Sequence, residues 1–264
     1  MNYTFCAQTS PGRTRDNNED SVIFDEAALL GVLADGMGGY KAGEIASSMA
    51  TAFVRTELAH WLSQAGGKAD IQEIRRALEL CLDNANHSIY LASRANPDYS
   101  GMGTTLVVGV FQGDQMLVGH IGDSRCYRLR GNEFLQITKD HSLLQEHIDA
   151  GLLTVEQAAT SPLKNLVTRA MGVDDEVLFE INQHHVVAGD VYLMCTDGLT
   201  DMMSDAAIAS VLRRGSSLTQ MADELVSEAN RNGGRDNITV LLTRAGDAPE
   251  PDRHRLMPRW LGKQ

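Results

Sequence analysis

The sequence predicts an α+β fold built on antiparallel sheet, and three observations carry that prediction. Residues 43 to about 62 and 71 to about 94 space their apolar side chains as amphipathic helices do. Residues 106–137 alternate short β-rich runs with glycine turns too tight to hold a crossover helix, so the strands they join are antiparallel. Two apolar runs, 29–34 and 191–196, each end on a carboxylate followed by glycine, at Asp35-Gly36 and Asp197-Gly198. Aspartate is costly where a buried strand leads it inward unless something offsets its charge. Two such endings point to strand ends that deliver carboxylates to one shared cation.

The elements follow in order. Residues 3–8 read as a first strand, closed by Ser10-Pro11-Gly12. The charged run 13–20 reads as loop. If 22–24 pairs with 29–34 as a hairpin, Glu19 and Asp20 come to lie beside Asp35. In the first helix Ile45, Met49, Ala52, Phe53 and Leu58 are the expected inward positions. Gly66-Gly67 breaks the chain, and the second helix turns Ile74, Leu78, Leu82, Ile89 and Leu91 inward, with Arg75 and Arg76 on its wet face. His60 and His87 have no acidic or histidine neighbour at ligand spacing and are read as structural.

Gly101-Met102-Gly103-Thr104-Thr105 leads into a meander of strands at 106–111, 115–121, 125–129 and 134–137, with Asp123 in the turn Gly122-Asp123-Ser124. Short helices at 141–150 and 155–159 and the irregular stretch after Ser161-Pro162 form an insertion, about 140–175, expected to lie over the sheet and to move more than it. Strands return at 177–181 and 191–195, helices at 205–213 and 218–231. Asn232-Gly233-Gly234 ends the last helix, and Arg235-Asp236-Asn237 precedes a final strand at 238–243. Beyond Gly246 an acidic, proline-rich step gives way to a basic one, read as a loosely held tail over 247–264.

Composition narrows the function. With 264 residues and no Pro/Gly/Ser-rich linker, one catalytic domain over 1–246 is expected. A net charge of −12 argues against nucleic acid and anionic membrane as partners. Cys6, Cys81, Cys126 and Cys195 are scattered, with no CxxC pair and no arginine six positions on. That excludes a zinc ribbon, a disulfide framework and the cysteine phosphate loop of tyrosine phosphatases. No signal peptide and no apolar run of about 18 residues is visible, so a cytoplasmic protein is the expectation, with monomer as the default state.

The chemistry rests on Asp35, Asp197 and Asp236, with Glu19, Asp20, Asp123 and Asp201 around them. Carboxylates gathered this closely raise one another's pKa, and divalent cations resolve the conflict. An all-oxygen set without histidine or cysteine selects hard ions, Mg2+ or Mn2+, over zinc. Two such ions about 4 Å apart can deprotonate a shared water and clamp phosphoryl oxygens during in-line attack. Arg15 is the guanidinium placed to bind the remaining phosphate oxygens. Spacing alone reaches a metal-dependent phosphoryl enzyme.

Six motifs carry the reading further. Arg15-Asp16-Asn17-Asn18-Glu19-Asp20, Asp35-Gly36-Met37-Gly38-Gly39, Gly101-Met102-Gly103-Thr104-Thr105, Gly122-Asp123-Ser124-Arg125, Thr196-Asp197-Gly198-Leu199 and Arg235-Asp236-Asn237-Ile238-Thr239 occur in this order. In this the chain resembles the PPM family, the type 2C metal-dependent serine/threonine protein phosphatases, in their compact bacterial branch. The resemblance implies a four-layer α-β-β-α sandwich of two antiparallel sheets flanked by helices. It implies that Asp35 bridges two ions, that the Gly36 carbonyl completes one, and that Asp197 and Asp236 hold the other. Glu19 and Asp20 would orient metal-bound waters, and Arg15 would hold substrate phosphate. A third, weaker ion would take Asp123 with Asp197 or Asp201. The substrates implied are phosphorylated proteins, hydrolysed without a phosphoenzyme, opposite a serine/threonine kinase.

Two departures stand out. Animal members carry a histidine, proposed as general acid, where this chain has Met37, whose thioether has no proton to give; His141 is a distant alternative. Related bacterial chains often have a His-Pro step in the insertion where this one has Ser161-Pro162.

Overall fold

A computed structural model describes residues 1–39, 42–154, 157, 161 and 166–247. The chain opens with β1 (Asn2–Ser10), β2 (Asp20–Asp25) and β3 (Leu30–Met37), followed by α1 (Ala42–Ala65) and α2 (Ile71–Ala95). The middle holds β4 (Gly103–Thr104), β5 (Leu106–Gln112), β6 (Gln115–Ile121), β7 (Arg125–Arg130), β8 (Glu133–Gln136), α3 (Leu143–Asp149) and β9 (Glu180–His185). The last part is β10 (Val191–Cys195), the single turn α4 (Asp197–Thr200), α5 (Asp205–Arg213), α6 (Leu218–Arg231) and β11 (Ile238–Gly246).

Two antiparallel sheets result. One runs β2-β3-β5-β6-β9 with β4 added against β3, and the other runs β1-β11-β10-β7-β8. The period of two along each strand sorts its side chains between layers. In β3, Leu30, Val32 and Ala34 face α1 and α2, while Leu33 points between the sheets. In β10, Val191, Leu193 and Cys195 face α5 and α6, while Tyr192 and Met194 join Leu33. The inter-sheet layer is stitched by aromatic contacts, with the Phe111 ring 4.6 Å from Tyr3 and 5.6 Å from Tyr192. The expected four-layer α-β-β-α sandwich is the observed architecture.

Local chemistry starts the helices where the sequence says. Asp70 and Glu73 close a capping box at α2, and Ser217 and Gln220 close another at α6. Other expectations need correction. The face of α1 against the sheet is Ala46, Ala50, Val54 and Leu58 with Ser47 and Thr51, while Ala52 is exposed. Small residues let the helix approach the sheet closely, so the bulkier Ile45, Met49 and Phe53 flank the contact. Leu91 is 51% exposed, because two positions past the buried Ile89 is about 200° around the helix. The meander is not one sheet: β5–β6 belong to the first and β7–β8 to the second, and the chain crosses at Gly122-Asp123-Ser124. The strand expected at 177–181 begins at Glu180, and Val177 and Phe179 instead pack beside the helical layer. The readings at 155–159, 162–165 and 248–264 lie largely outside the described residues.

Candidate active site

The sheets bring their charged strand ends to one edge. Register places Asp20 of β2 directly across from Asp35 of β3, so the predicted hairpin does set these two acids side by side. Asp197 opens α4 with only Thr196 between it and β10, and Asp236 is separated only by Asn237 from β11, which pairs with β10. Asp123 sits in the sheet-to-sheet crossing, and Asp201 closes α4, its N–H donating to the Asp197 carbonyl at 2.7 Å. Two glycines make the approach feasible. A Cβ on Gly198 would lie 1.9 Å from the Asn237 carbonyl oxygen, and one on Gly36 would lie 2.1 Å from the Gly43 oxygen.

Electrostatics shows that these groups share one space. Burial, then the charges of Asp20, Asp197, Asp123 and Asp236, hold Asp35 well above the ordinary carboxylate range. Burial, then Asp123, Asp201, Asp236 and Asp20, do the same to Asp197. Burial pushes Asp20 up to about 7 against the pull of the Thr239 and Thr196 hydroxyls. Burial and the charge of Asp140 push Asp123 up to about 6. The buried Asp20 Oδ1 has no hydrogen-bond partner among the described residues. An all-oxygen set with mutually raised pKa values and an unspent buried oxygen fits hard divalent cations.

The motifs that brace these acids do so through hydroxyls and one amide, whose contacts the sequence did not reveal. Thr105 Oγ1 accepts the Asp35 N–H at 3.0 Å and meets Ser124 Oγ at 2.8 Å, tying β3 to the Asp123 turn. Thr104 Oγ1 donates to the Asp35 carbonyl at 2.8 Å. Thr196 Oγ1 donates to Asp20 Oδ2 and accepts the Thr239 N–H, both at 3.0 Å. Asn237 uses its whole amide: Oδ1 accepts the Glu19 N–H at 2.8 Å, and Nδ2 donates to the carbonyls of Pro11 and Asn17 at 3.1 and 2.9 Å. That amide fastens the loop carrying Arg15 to the end of β11. Arg15 itself, 53% exposed, reaches Asp236 at 2.8 Å. The Glu19 side chain lies against Gly43 and accepts from Asn17 Nδ2 at 3.0 Å.

His141 does not face these acids. Its Nδ1 accepts the Gly122 N–H at 3.2 Å, its ring stacks on His120 at 4.9 Å, and its Nε2 lies 3.7 Å from Glu180. Burial, then the charges of His120 and Arg169, push it down to about 4, so it is neutral at physiological pH and props the Asp123 turn. Among the described residues, a group of metal-ligating side chains with all ligand atoms within 4.8 Å of one another is His120, His141 and Glu180, apart from the acidic edge. The Gly122 bond leaves the His141 Nε2 carrying the proton, which disfavours metal there.

Comparison with known proteins finds relatives along most of the chain. The sequence model of the family described as Protein phosphatase 2C matches residues 9–242. The serine/threonine phosphatase stp of Listeria innocua is 36% identical over 238 residues, covering 89% of this chain and 93% of that protein. The crystal structure of the Mycobacterium tuberculosis serine/threonine phosphatase PstP/Ppp superposes with a TM-score of 0.85 at 37% identity, covering 94% of this chain and 100% of that one. A structure of the PstP catalytic domain in complex with two manganese ions superposes at 0.81 with 37% identity, covering 93% of this chain and 99% of that one.

Proposed function

The chain belongs to the protein phosphatase 2C family, the PPM phosphatases, and from that premise we propose how its acidic edge performs the reaction. It is a serine/threonine protein phosphatase of a metal-dependent family, acting on phosphoproteins. Residues 1–246 are the catalytic unit, 140–175 its flap. Asp35 and the Gly36 carbonyl would hold one divalent ion, Asp35 with Asp197 and Asp236 a second, and Asp123 with Asp201 a weaker third. Mg2+ and Mn2+ both suit the oxygen donors. Bound there, the ions would supply an activated water and a positive clamp on phosphoryl oxygens.

The protein's own groups do the rest. Arg15 would donate its paired N–H groups to the substrate phosphate in place of its contact with Asp236. Asp20, with one oxygen fixed by Thr196 and the other unspent, would accept from water held at the ions, as would Glu19. Neither Met37 nor the neutral His141 protonates the leaving serine or threonine oxygen. The buried cysteines are not nucleophiles: burial pushes Cys81 up to about 12, and Cys126 and Cys195 higher still. Direct attack by water without a phosphoenzyme is the reading this favours. The setting is cytoplasmic, with a serine/threonine kinase as counterpart and a monomer as the working form. No described helix is long and apolar enough to cross a membrane.

The observation that carries this reading is the gathering of Asp20, Asp35, Asp123, Asp197 and Asp236 from five separate places along the chain, with Asp20 across from Asp35 and the charges of the other four acting on Asp35. The test is phosphopeptide hydrolysis with Mn2+, with and without chelator, in the natural chain and Asp197→Ala. Loss of turnover in both perturbations is expected. Turnover that survives chelation, or full activity in the variant, overturns it. Faster hydrolysis of small phosphate esters than of phosphopeptides would reassign the substrate class.

A further inference from the structure

At the pole opposite the acidic edge, a cavity of about 520 Å³ opens between the β2–β3 turn, the end of α1 and the β5–β6 turn. That volume is typical of a built ligand site. Its wall is apolar, with Ala28, Leu29, Leu62, Ala65, Ile74 and Phe111 among its residues. A polar atom in it is unspent: Gln112 Nε2 donates to the Ala69 carbonyl at 2.6 Å, and the buried Oε1 has no partner among the described residues. Asp25 stands at the same cavity, with Oδ1 taken by the N–H groups of Ala27 and Ala28 and Oδ2 3.8 Å from Arg55. A largely apolar chamber with a buried unpaired acceptor suits a flat apolar group bearing an N–H donor.

We propose that this cavity seats the chain's own segment 253–261, with the Trp260 indole inside and its Nε1–H donated to Gln112 Oε1. The place where the chain leaves the sheet supports it. β11 runs away from the acidic edge and ends at Gly246, paired with Asn2. The neighbouring Tyr3 donates its hydroxyl to the Gly113 carbonyl at 2.9 Å and packs its ring on Phe111, and both partners line the cavity. The chain therefore emerges beside the site it would fill. Residues 247–259 can span about 40 Å when extended, so reach is no obstacle. A tether that short sets an effective concentration on the order of millimolar.

The segment's composition matches as well. Leu256, Met257, Trp260 and Leu261 are its apolar cluster, and Trp260 supplies the flat group with one N–H. Arg253, Arg255 and Arg259 alternate with them in a chain of net charge −12, and Asp25 and Glu26 lie on the turn that borders the cavity. Nothing in the phosphatase reaction uses this pole, so the docking stands apart from the catalytic reading.

The test reads Trp260 fluorescence in the full chain carrying Trp61→Phe, which leaves Trp260 as the single tryptophan. The expected result is blue-shifted emission with acrylamide quenching several-fold below that of a free tryptophan amide, unchanged on dilution. Ala65→Phe, which adds a ring to the cavity wall, and Gln112→Leu, which removes the acceptor, should each return emission and quenching to the solvent-exposed values. Phosphopeptide hydrolysis should stay at the natural rate in both. Solvent-exposed emission in the parent overturns the proposal. So does protection that fades on dilution with a dimer on gel filtration, which makes a second copy the occupant. Protection that survives both cavity variants also overturns it, since the segment then docks elsewhere. If Trp61→Phe melts early, the same reading is taken as the difference between the natural chain and Trp260→Phe.

Discussion

Asn237→Ala is the sharpest test of how the active edge is assembled. The side chain is 6% exposed and makes three hydrogen bonds, at 2.8, 3.1 and 2.9 Å, each to the backbone of the segment between β1 and β2. Each such bond is worth about 1 kcal/mol net, and the stranded Glu19 N–H costs more than a bond lost to water, so about 3 kcal/mol of stability should go. At 2–4 °C per kcal/mol for a chain of this size, melting should fall by roughly 6–12 °C. The same loop carries Arg15 and Glu19 and leads into Asp20 at the start of β2. Releasing it should lower kcat/KM on a phosphopeptide on the order of tenfold, since about 1.4 kcal/mol of lost positioning suffices. KM should carry most of the change, because Arg15 is read as a phosphate holder. The assays are thermal melting with saturating Mn2+ and steady-state kinetics below the new melting point. A variant that melts with the natural chain and keeps its KM would show that the amide braces nothing, and the account of the loop would fail.

Three further predictions concern other parts of the molecule. Asp190, 1% exposed, is gripped by Arg130 at 2.8 and 2.7 Å. Burial works to raise its pKa, but Arg130 and the Val187 N–H outweigh it, so the carboxyl lies below its ordinary value. Its contribution is therefore present above the unfolded carboxylate pKa and lost as pH falls through the folded one. Arg130→Met should cost about 2–3 kcal/mol near neutral pH, discounted because the arginine is partly exposed, and the gap should narrow with acid and close only once pH falls through the depressed Asp190 pKa. Equal urea midpoint differences at neutral and acid pH would refute this. At the acidic edge, Asp20 raised to about 7 and Asp123 to about 6 hold protons that a cation must displace. Without cation, stability from these groups falls as pH rises from the ordinary carboxylate pKa up to those raised values; Mg2+ or Mn2+ should restore it, raising the melting temperature more above about pH 8 than below about pH 5. A metal shift independent of pH would count against carboxylate ligation. Finally, alkylation with iodoacetamide under native conditions should leave phosphatase activity intact, as Cys81, Cys126 and Cys195 are buried thiols; inactivation matched to modification of one of these three would point to a thiol in the reaction.

What could be read from the sequence was whatever leaves a local mark. A strand that ends on aspartate and glycine, as at Asp35-Gly36 and Asp197-Gly198, announces both its end and its charge within a few residues. The helices Asp205–Arg213 and Leu218–Arg231 and the strand Val191–Cys195 fall where apolar period, caps and breakers put them, because those signals act over one or two turns. The order of the six motifs sufficed for the family. The tertiary structure alone decided which sheet each half of the predicted meander joins, since a turn such as Gly122-Asp123-Ser124 reads the same whether the next strand pairs back or crosses over. It alone chose the small-residue face of α1, because closeness of approach is a property of two surfaces. It alone supplied the partners that hold the acids in place: Asn237 to Glu19 spans 218 positions and Thr196 to Asp20 spans 176. A hydrogen bond between residues so distant leaves no period and no spacing in the chain, and it exists only once two packed sheets have brought both ends to the same edge.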